Sequence, residues 1–229
     1  MNYKIIFLII SSSNDESYIN MKKMHQEYLK LYNGRIKYFF VESIPDMEVE
    51  IKEVDDHIFI KDTESIIPGI YNKTIQSMNH ISQKYPYDFM IRTNLSSFWN
   101  LPNILNLLET KPTSGYAGGY NVQGFITGTG IILSPDIVEL LCNNTLAIHM
   151  HDDVLISHIL SNHNIPLNNI TEYKWGFMIP RICELASNCR FTEINEDNYD
   201  DILYFRLKNE CRQTDVKYFK ILQNKIYNL

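Results

Sequence analysis

No apolar run in the sequence is long enough to cross a membrane. The strongest, Ile5-Ile6-Phe7-Leu8-Ile9-Ile10, gives way at once to Ser11-Ser12-Ser13-Asn14-Asp15, whereas a helical span needs about 20 apolar residues. No small-residue cleavage site follows it, so it reads as a buried strand rather than a signal peptide. The chain is therefore expected to be soluble and cytoplasmic, without a membrane anchor. Cysteine is scarce: Cys142, Cys183, Cys189 and Cys211 show no CxxC or CxxH spacing, which argues against a zinc site. A chain of this size needs no disulfide framework, and reduced thiols are expected. A P-loop is excluded because no Gly-Lys-Ser/Thr occurs, and Gly128-Thr129-Gly130 is not the start of GxGxxG. No Gly-x-Ser-x-Gly elbow occurs either, which sets aside an α/β hydrolase. Positive charge is in deficit, 21 Lys and Arg against 27 Asp and Glu, so nothing points to nucleic acid as a partner. Internal repeats and low-complexity linkers are also missing, and residues 1–229 are expected to form a single domain.

What is present is an alternation of strand and helix patterns. After Ile5–Ile10 comes a helical stretch from about Glu16 to Tyr32, with Tyr18, Met21, Met24 or His25, Tyr28, and Leu31 or Tyr32 at helical spacing. Asn33-Gly34 ends it. Strands are expected at 36–41, 57–61 and 89–92, with a helix over 69–84. A loop should cover 112–119. Further helices should start at Ser134-Pro135 and from Val154, followed by a strand over 202–208 and a terminal helix from about Arg212 to Tyr227. Such a βαβ rhythm implies an α/β fold of Rossmann type, a mixed, mainly parallel sheet flanked by helices.

Three stretches carry candidate chemistry. In the first, Phe89-Met90-Ile91 switches abruptly to Arg92, Thr93, Asn94, Ser96 and Ser97 before a helix start with Asn100 as N-cap and Pro102 in the first turn. Polar residues at the carboxyl end of a buried strand sit where open α/β sheets bind ligands. Ser11, Ser12 and Ser13 would share that edge, and Lys73 and Thr74 fall early in a helix that could face it. The second stretch is Thr127-Gly128-Thr129-Gly130, a backbone that something can approach closely or a glycine-kinked strand. The third is His149-Met150-His151-Asp152-Asp153, two acids ahead of an apolar helix. Capping and the helix dipole use one carboxylate and leave the other for chemistry. The His149, His151, Asp152, Asp153 and His158 spacing matches no zinc-protease pattern, and no metal cluster is expected there.

Together these stretches resemble a GT-A-type glycosyltransferase, closest to the inverting β-1,3-glycosyltransferase and Fringe-like group. Ile67-Pro68-Gly69-Ile70-Tyr71-Asn72-Lys73-Thr74 is similar to the family's Tyr-x-Asn-Leu-x-x-Lys-Thr helix. Phe125 to Ser134 looks like its Ser-Gly-Thr-Gly-Tyr-x-x-Ser segment, and Asp152-Asp153-Val154 like its Glu-Asp-Val. Where the family carries its metal-binding DxD, this chain has Asn94-Leu95-Ser96. Neutral oxygens do not offset the charge of a hard cation, so Mn²⁺ or Mg²⁺ is disfavoured and no other cofactor is implied.

The resemblance implies transfer from a UDP-sugar to a hydroxyl of a glycan or protein. Asp153 would be the general base, and Asp152 would cap its helix or orient the acceptor. Ser11, Ser12, Ser13, Lys73, Arg92, Thr93, Asn94, Ser96 and Ser97 would line the nucleotide-sugar site. Thr127, Gly128, Thr129 and Gly130 would form the sugar or acceptor pocket. Metal-independent relatives neutralise the leaving diphosphate with Arg and Lys, a role open to Arg206, Lys208 and Arg212, with Arg206 and Lys208 on one strand face. The alternative implied is a non-catalytic nucleotide-sugar- or glycan-binding relative.

Overall fold

The computed structural model describes residues 2–144, 146, 150–177, 189–191 and 199–229. Along the chain its first half runs β1 (Tyr3–Ile10), α1 (Glu16–Lys30), β2 (Ile36–Ser43), β3 (Ile51–Val54), β4 (His57–Ile60), α2 (Gly69–Ser82), β5 (Tyr87–Asn94), β6 (Ser97–Trp99) and α3 (Leu101–Glu109). It continues with β7 (Ala117–Gly119), β8 (Asn121–Val122), β9 (Phe125–Ile126), β10 (Gly130–Leu133), α4 (Pro135–Asn143), α5 (Asp152–Asn162), β11 (Leu167–Asn169), β12 (Lys174–Phe177), β13 (Cys189–Phe191), β14 (Ile202–Arg206) and α6 (Arg212–Tyr227). His149 and Cys183, named above, lie outside the described residues. Two compact units result, one of Met1–Ser12, Gly34–Asn94 and Pro112–Asn169, the other of Ser13–Asn33, Leu95–Lys111 and Ile170–Leu229.

The first unit holds an eight-stranded sheet of order β11-β7-β10-β5-β1-β2-β4-β3. Its centre is parallel, β1 pairing with both β2 and β5, while β10 and β3 run antiparallel to their neighbours. β1 is apolar at every position from Ile5 to Ile10 because both of its faces are buried, the mark of a central parallel strand. Alternation along it sends Ile6 and Leu8 to one face. There they meet Met78 and Ile81 of α2, Val138 and Leu141 of α4, and Leu155 and Ile159 of α5. The parallel strands β1, β2 and β5 all end at one edge, which places Ser11, Glu42 and Asn94 there. Antiparallel β10 pairs Gly130 with Thr93, so the turn leading into β10 arrives at the same edge.

The second unit has a four-stranded sheet of order β13-β12-β14-β6, with α1, α3 and α6 beside it. β14 lies antiparallel to β6, pairing Tyr204 with Trp99 and Arg206 with Ser97. Pro102 and Asn100 open α3 as their sequence predicts, with Asn103 N–H donating to Asn100 Oδ1. An aromatic core joins α1, β6 and α6: the Tyr28 ring lies 4.7 Å from Phe98 and is stacked on Tyr227 at 5.1 Å. His25 is sealed into this core, and burial pushes its pKa down to about 4, opposed by its hydrogen bond to Leu95.

That depression has a consequence for stability. The unfolded chain binds a proton near the ordinary histidine pKa of about 6.5, whereas the folded chain does not until about pH 4. Stability linked to His25 is therefore full above the unfolded value and is lost as pH falls through this window, by up to about 3 kcal/mol. Urea unfolding of the wild type and of His25→Phe across pH 7 to 4 should show the steeper fall in the wild type. Parallel pH profiles would disprove the assignment.

Among the described residues no helix is long and apolar enough to cross a membrane, and Cys142 and Cys211 carry free thiols.

Candidate active site

In the first unit, the end of β5 organises a cluster around one guanidinium. Arg92 is only 1% exposed. Its Nη1 donates to Asn94 Oδ1 at 3.0 Å and, in a shorter contact, to the Gly128 carbonyl. Its Nη2 lies 2.6 Å from Asp152 Oδ2. The approach to Asp152 is an ion pair without hydrogen-bond alignment, since Asp152 Oδ2 and Arg92 Nε both lack a directed hydrogen bond. Thr93, the next residue, donates from Oγ1 to the Thr129 carbonyl at 2.6 Å, and the Thr127 and Thr129 hydroxyls share a 2.7 Å hydrogen bond. The turn at 127–129 is thus fastened to β5 by two consecutive side chains. Arg92, read as a ligand of the donor, is buried and faces Asn94, Gly128 and Asp152.

The same turn is fastened to α5 from the other side. Gly128 N–H donates to Asp153 Oδ2 at 2.9 Å, and Ser157 Oγ accepts from Ile126 N–H at 3.0 Å. A side chain has no room at Gly128: a Cβ would lie 2.8 Å from Arg92 Nη1 and 3.2 Å from Asp153 Oδ2. Gly128→Ala is expected to push Asp153 out of place and to cost about 1–3 kcal/mol of stability. Thermal unfolding of the variant would check this, and a wild-type value would refute it.

The adjacent acids have different surroundings. α5 begins at Asp152, two residues before the expected start at Val154, and its N-cap is His151, which makes no side-chain capping bond. Asp152 therefore does not cap the helix. It is buried against Arg92, and burial raises its pKa, with Arg92 opposing and Asp153 adding to the rise. Asp153 is half-buried, and its two oxygens accept from Gly128 N–H and from Val154 N–H at 2.9 Å each. Two backbone donors fix this carboxylate in orientation, and each oxygen keeps a lone pair for a further partner.

At the ends of β1 and β2, Ser11 Oγ donates to Glu42 Oε1 at 3.2 Å. Lys73, also 1% exposed, donates to the Ser11 carbonyl at 3.0 Å and to both Glu64 oxygens at 2.7 and 2.8 Å. All three ammonium protons have partners, so Lys73 braces the loop after β1. Ser12 is half-buried. Glu42 and Glu64 were missed in the sequence. Glu42 had a signal, an acid closing an apolar strand at the same edge as the serines; Glu64 had none.

In the second unit, Ser13 is exposed and accepts from Lys22 Nζ at 2.6 Å. The Leu95 carbonyl accepts from His25 Nε2 at 2.8 Å, and the Ser96 carbonyl from Leu207 N–H at 2.9 Å. Ser96 Oγ accepts from Arg206. Ser97 belongs to β6 and is fully buried with an unpartnered hydroxyl, so it offers no surface to a ligand. β14 ends at Arg206, so Lys208 lies beyond the strand and does not share a strand face with Arg206 as expected. Burial and then the nearby Arg206 and Arg212 push the pKa of Lys208 down, which marks the three as a cationic group. Arg212 is held by Asp215 at 2.7 Å and lies over the Tyr18 ring.

Asn94 and Ser96 do not suit a divalent cation. Each of the two side-chain oxygens already accepts from a guanidinium, Arg92 for Asn94 and Arg206 for Ser96, and neither carries charge. Among the described residues no three His, Cys, Asp or Glu side chains gather into a group that could hold a metal.

No protein-family model matches the chain, and no curated protein matches it. Solved structures do. A glycosyltransferase involved in the glycosylation of the major capsid of PBCV-1 superposes with a TM-score of 0.56 at 11% identity, covering 94% of this chain and 99% of that one. The catalytic domain of Drosophila β1,4-galactosyltransferase 7, solved with xylobiose, gives 0.47 at 10% identity over 94% and 79%. A variant of that enzyme with manganese, UDP-Gal and xylobiose gives 0.47 at 10% identity over 90% and 71%. The first likeness bears on the fold: the mixed α/β architecture, with its large, mainly parallel sheet and flanking helices, is that of GT-A glycosyltransferases.

Proposed function

We propose that the chain is an inverting glycosyltransferase that moves a sugar from a UDP-sugar to a hydroxyl of a glycan or protein acceptor, without a carboxylate-bound metal. The observation that carries this reading is Asp153. In a GT-A architecture, at the strand-end edge of the sheet, it is a half-buried carboxylate oriented by two backbone N–H groups. A general base must reach the acceptor hydroxyl with a lone pair free, and this geometry provides it. Asp153 takes the acceptor proton as that oxygen attacks the anomeric carbon from the face opposite the diphosphate. The bond from the anomeric carbon to the diphosphate oxygen breaks, configuration inverts, and UDP leaves with the bonding pair.

Stabilising the charge on the leaving group is a dominant catalytic effect. In this reading Arg206, Lys208 and Arg212 supply that stabilisation. Asn94 and Ser96 contact the sugar phosphate. Ser11 to Ser13 line the nucleotide site, braced by Lys73, and Thr127 to Gly130 back the transferred sugar or the acceptor.

The absence of acids at Asn94 and Ser96 favours a second reading, a binding module of the same fold that has lost turnover. A panel of UDP-sugars, followed for binding and for hydrolysis or transfer with and without EDTA, decides between them. Turnover insensitive to EDTA is expected. UDP binding without turnover on any acceptor would decide for the binding module, and no binding at millimolar concentration would end both readings. Strong dependence on Mn²⁺ would overturn the metal-free mechanism.

A further inference from the structure

His25 is a polar ring where packing alone would favour an apolar one. It is fully buried, 5.1 Å edge-on from Phe219 and 5.4 Å from Tyr28. An unpaired imidazole there would be costly, and both ring nitrogens are paired: Nε2 with the Leu95 carbonyl at 2.8 Å, Nδ1 with the Tyr28 hydroxyl at 2.7 Å. The carbonyl can only accept, so Nε2 carries the proton, and the Tyr28 hydroxyl therefore donates to Nδ1. The Leu95 carbonyl thus fixes the tautomer, and the Tyr28 hydroxyl satisfies the other nitrogen. Leu95 sits in the chain between Asn94 and Ser96, and among the described residues its buried carbonyl has no other donor.

We infer that His25 is a positioning residue for the donor site, fixing the Leu95 carbonyl and with it the Asn94-Leu95-Ser96 turn; this rests on the reading of that turn as the donor loop. Among the described residues of the second unit, the other ties on the turn come from the end of β14, Leu207 N–H to the Ser96 carbonyl and Arg206 to Ser96 Oγ. The Arg206 tie is lost when the guanidinium turns to a diphosphate. His25 and the Leu207 amide then hold the turn while substrate is bound.

His25→Met and His25→Gln separate positioning from packing. Both side chains reach as far from Cα as Nε2 does, and only Gln carries a donor there. His25→Met should raise the KM for the UDP-sugar about tenfold, the scale of one lost hydrogen bond, with kcat at saturating donor within about twofold. Amide exchange should quicken in residues 95–99 and at Leu207, and His25→Gln should restore most of both. An unchanged KM in His25→Met, or a His25→Gln no better than Met, overturns the proposal. Should His25→Met fail to fold, His25→Asn decides: its amide reaches about as far as Nδ1 and stops short of the Leu95 carbonyl, and an unchanged KM there is equally fatal. A wild-type chain that binds no UDP-sugar overturns the donor-site reading and this role with it. Quickened exchange in His25→Met would then make His25 an anchor of the fold alone.

Discussion

Asp153→Asn should lower turnover by about 10²–10⁴-fold, the usual worth of a positioned general base, with little change in UDP affinity. The amide keeps the size of the carboxylate, and its oxygen can still accept from Gly128 or Val154, as Asp153 does. Its nitrogen has no lone pair to offer an acceptor hydroxyl. Because Asp153 has no ion pair among the described residues, unfolding should move little, and lost turnover would report chemistry rather than misfolding. Asp152→Asn is the control with the opposite pattern. It leaves the Arg92 guanidinium buried without a counter-charge, so stability falls first and activity follows. Steady-state kinetics, UDP titration and urea unfolding of the two variants together assign the roles. Turnover unchanged in Asp153→Asn removes it as the base, and loss of turnover at undiminished stability in Asp152→Asn would transfer the role to Asp152.

The pattern of long elements was open to reading because their periodicity outlasts local noise. Ile5–Ile10 could hardly be anything but a central strand, and the terminal helix runs from Arg212 to Tyr227 as the spacing predicts. Short strands were not legible. Ala117–Gly119 was expected to be loop and Ser97 was grouped with the polar residues after β5, yet Ala117–Gly119 and Ser97–Trp99 are strands of three residues. So short a run shows no period, and what makes each a strand is its hydrogen-bonded neighbour, which sequence does not name. Edge strand β3 was missed for the same reason.

The site divides along similar lines. Gly128 and the two acids stood out by residue type and order, but which acid pairs with which base did not. That depends on β10 lying antiparallel to β5 in the register that sets Gly130 against Thr93. This register brings the Gly128 carbonyl to Arg92 across 36 residues of sequence. Lys73 and Arg92 looked like ligands because an isolated cation near a polar loop suggests an anion. Both prove to be buried and to hold protein partners that the sequence does not name.

Arg92→Met should cost about 3–5 kcal/mol at neutral pH, the scale for removing one partner of a buried ion pair. Met fills most of the volume and removes the charge, so the loss comes from what remains. Asp152 is left as a buried carboxylate without a cation, and the Gly128 carbonyl and Asn94 Oδ1 each lose a donor. The deficit should shrink as pH falls. Burial already raises the Asp152 pKa and Arg92 opposes the rise, so without Arg92 the folded pKa climbs further above its unfolded value. A carboxyl raised in this way favours the fold below its unfolded pKa, and the benefit is lost as pH rises through the folded one. The variant therefore loses least in acid and most at neutral pH, narrowing its gap to the wild type on the acid side. Arg92→Lys should fall between the two, since a point charge cannot hold Asn94, Gly128 and Asp152 at once as a planar fork does. Arg92→Met with Asp152→Leu should recover much of the stability, because apolar packing often replaces a buried pair without loss, while transfer stays low, since the Gly128 turn that orients Asp153 keeps only the Thr93 donor of its two from β5. Urea unfolding at pH 5 and 7 tests the series. A loss below about 1 kcal/mol for Arg92→Met, within the range of ordinary surface substitutions, would mean that the guanidinium does not hold this edge of the sheet together.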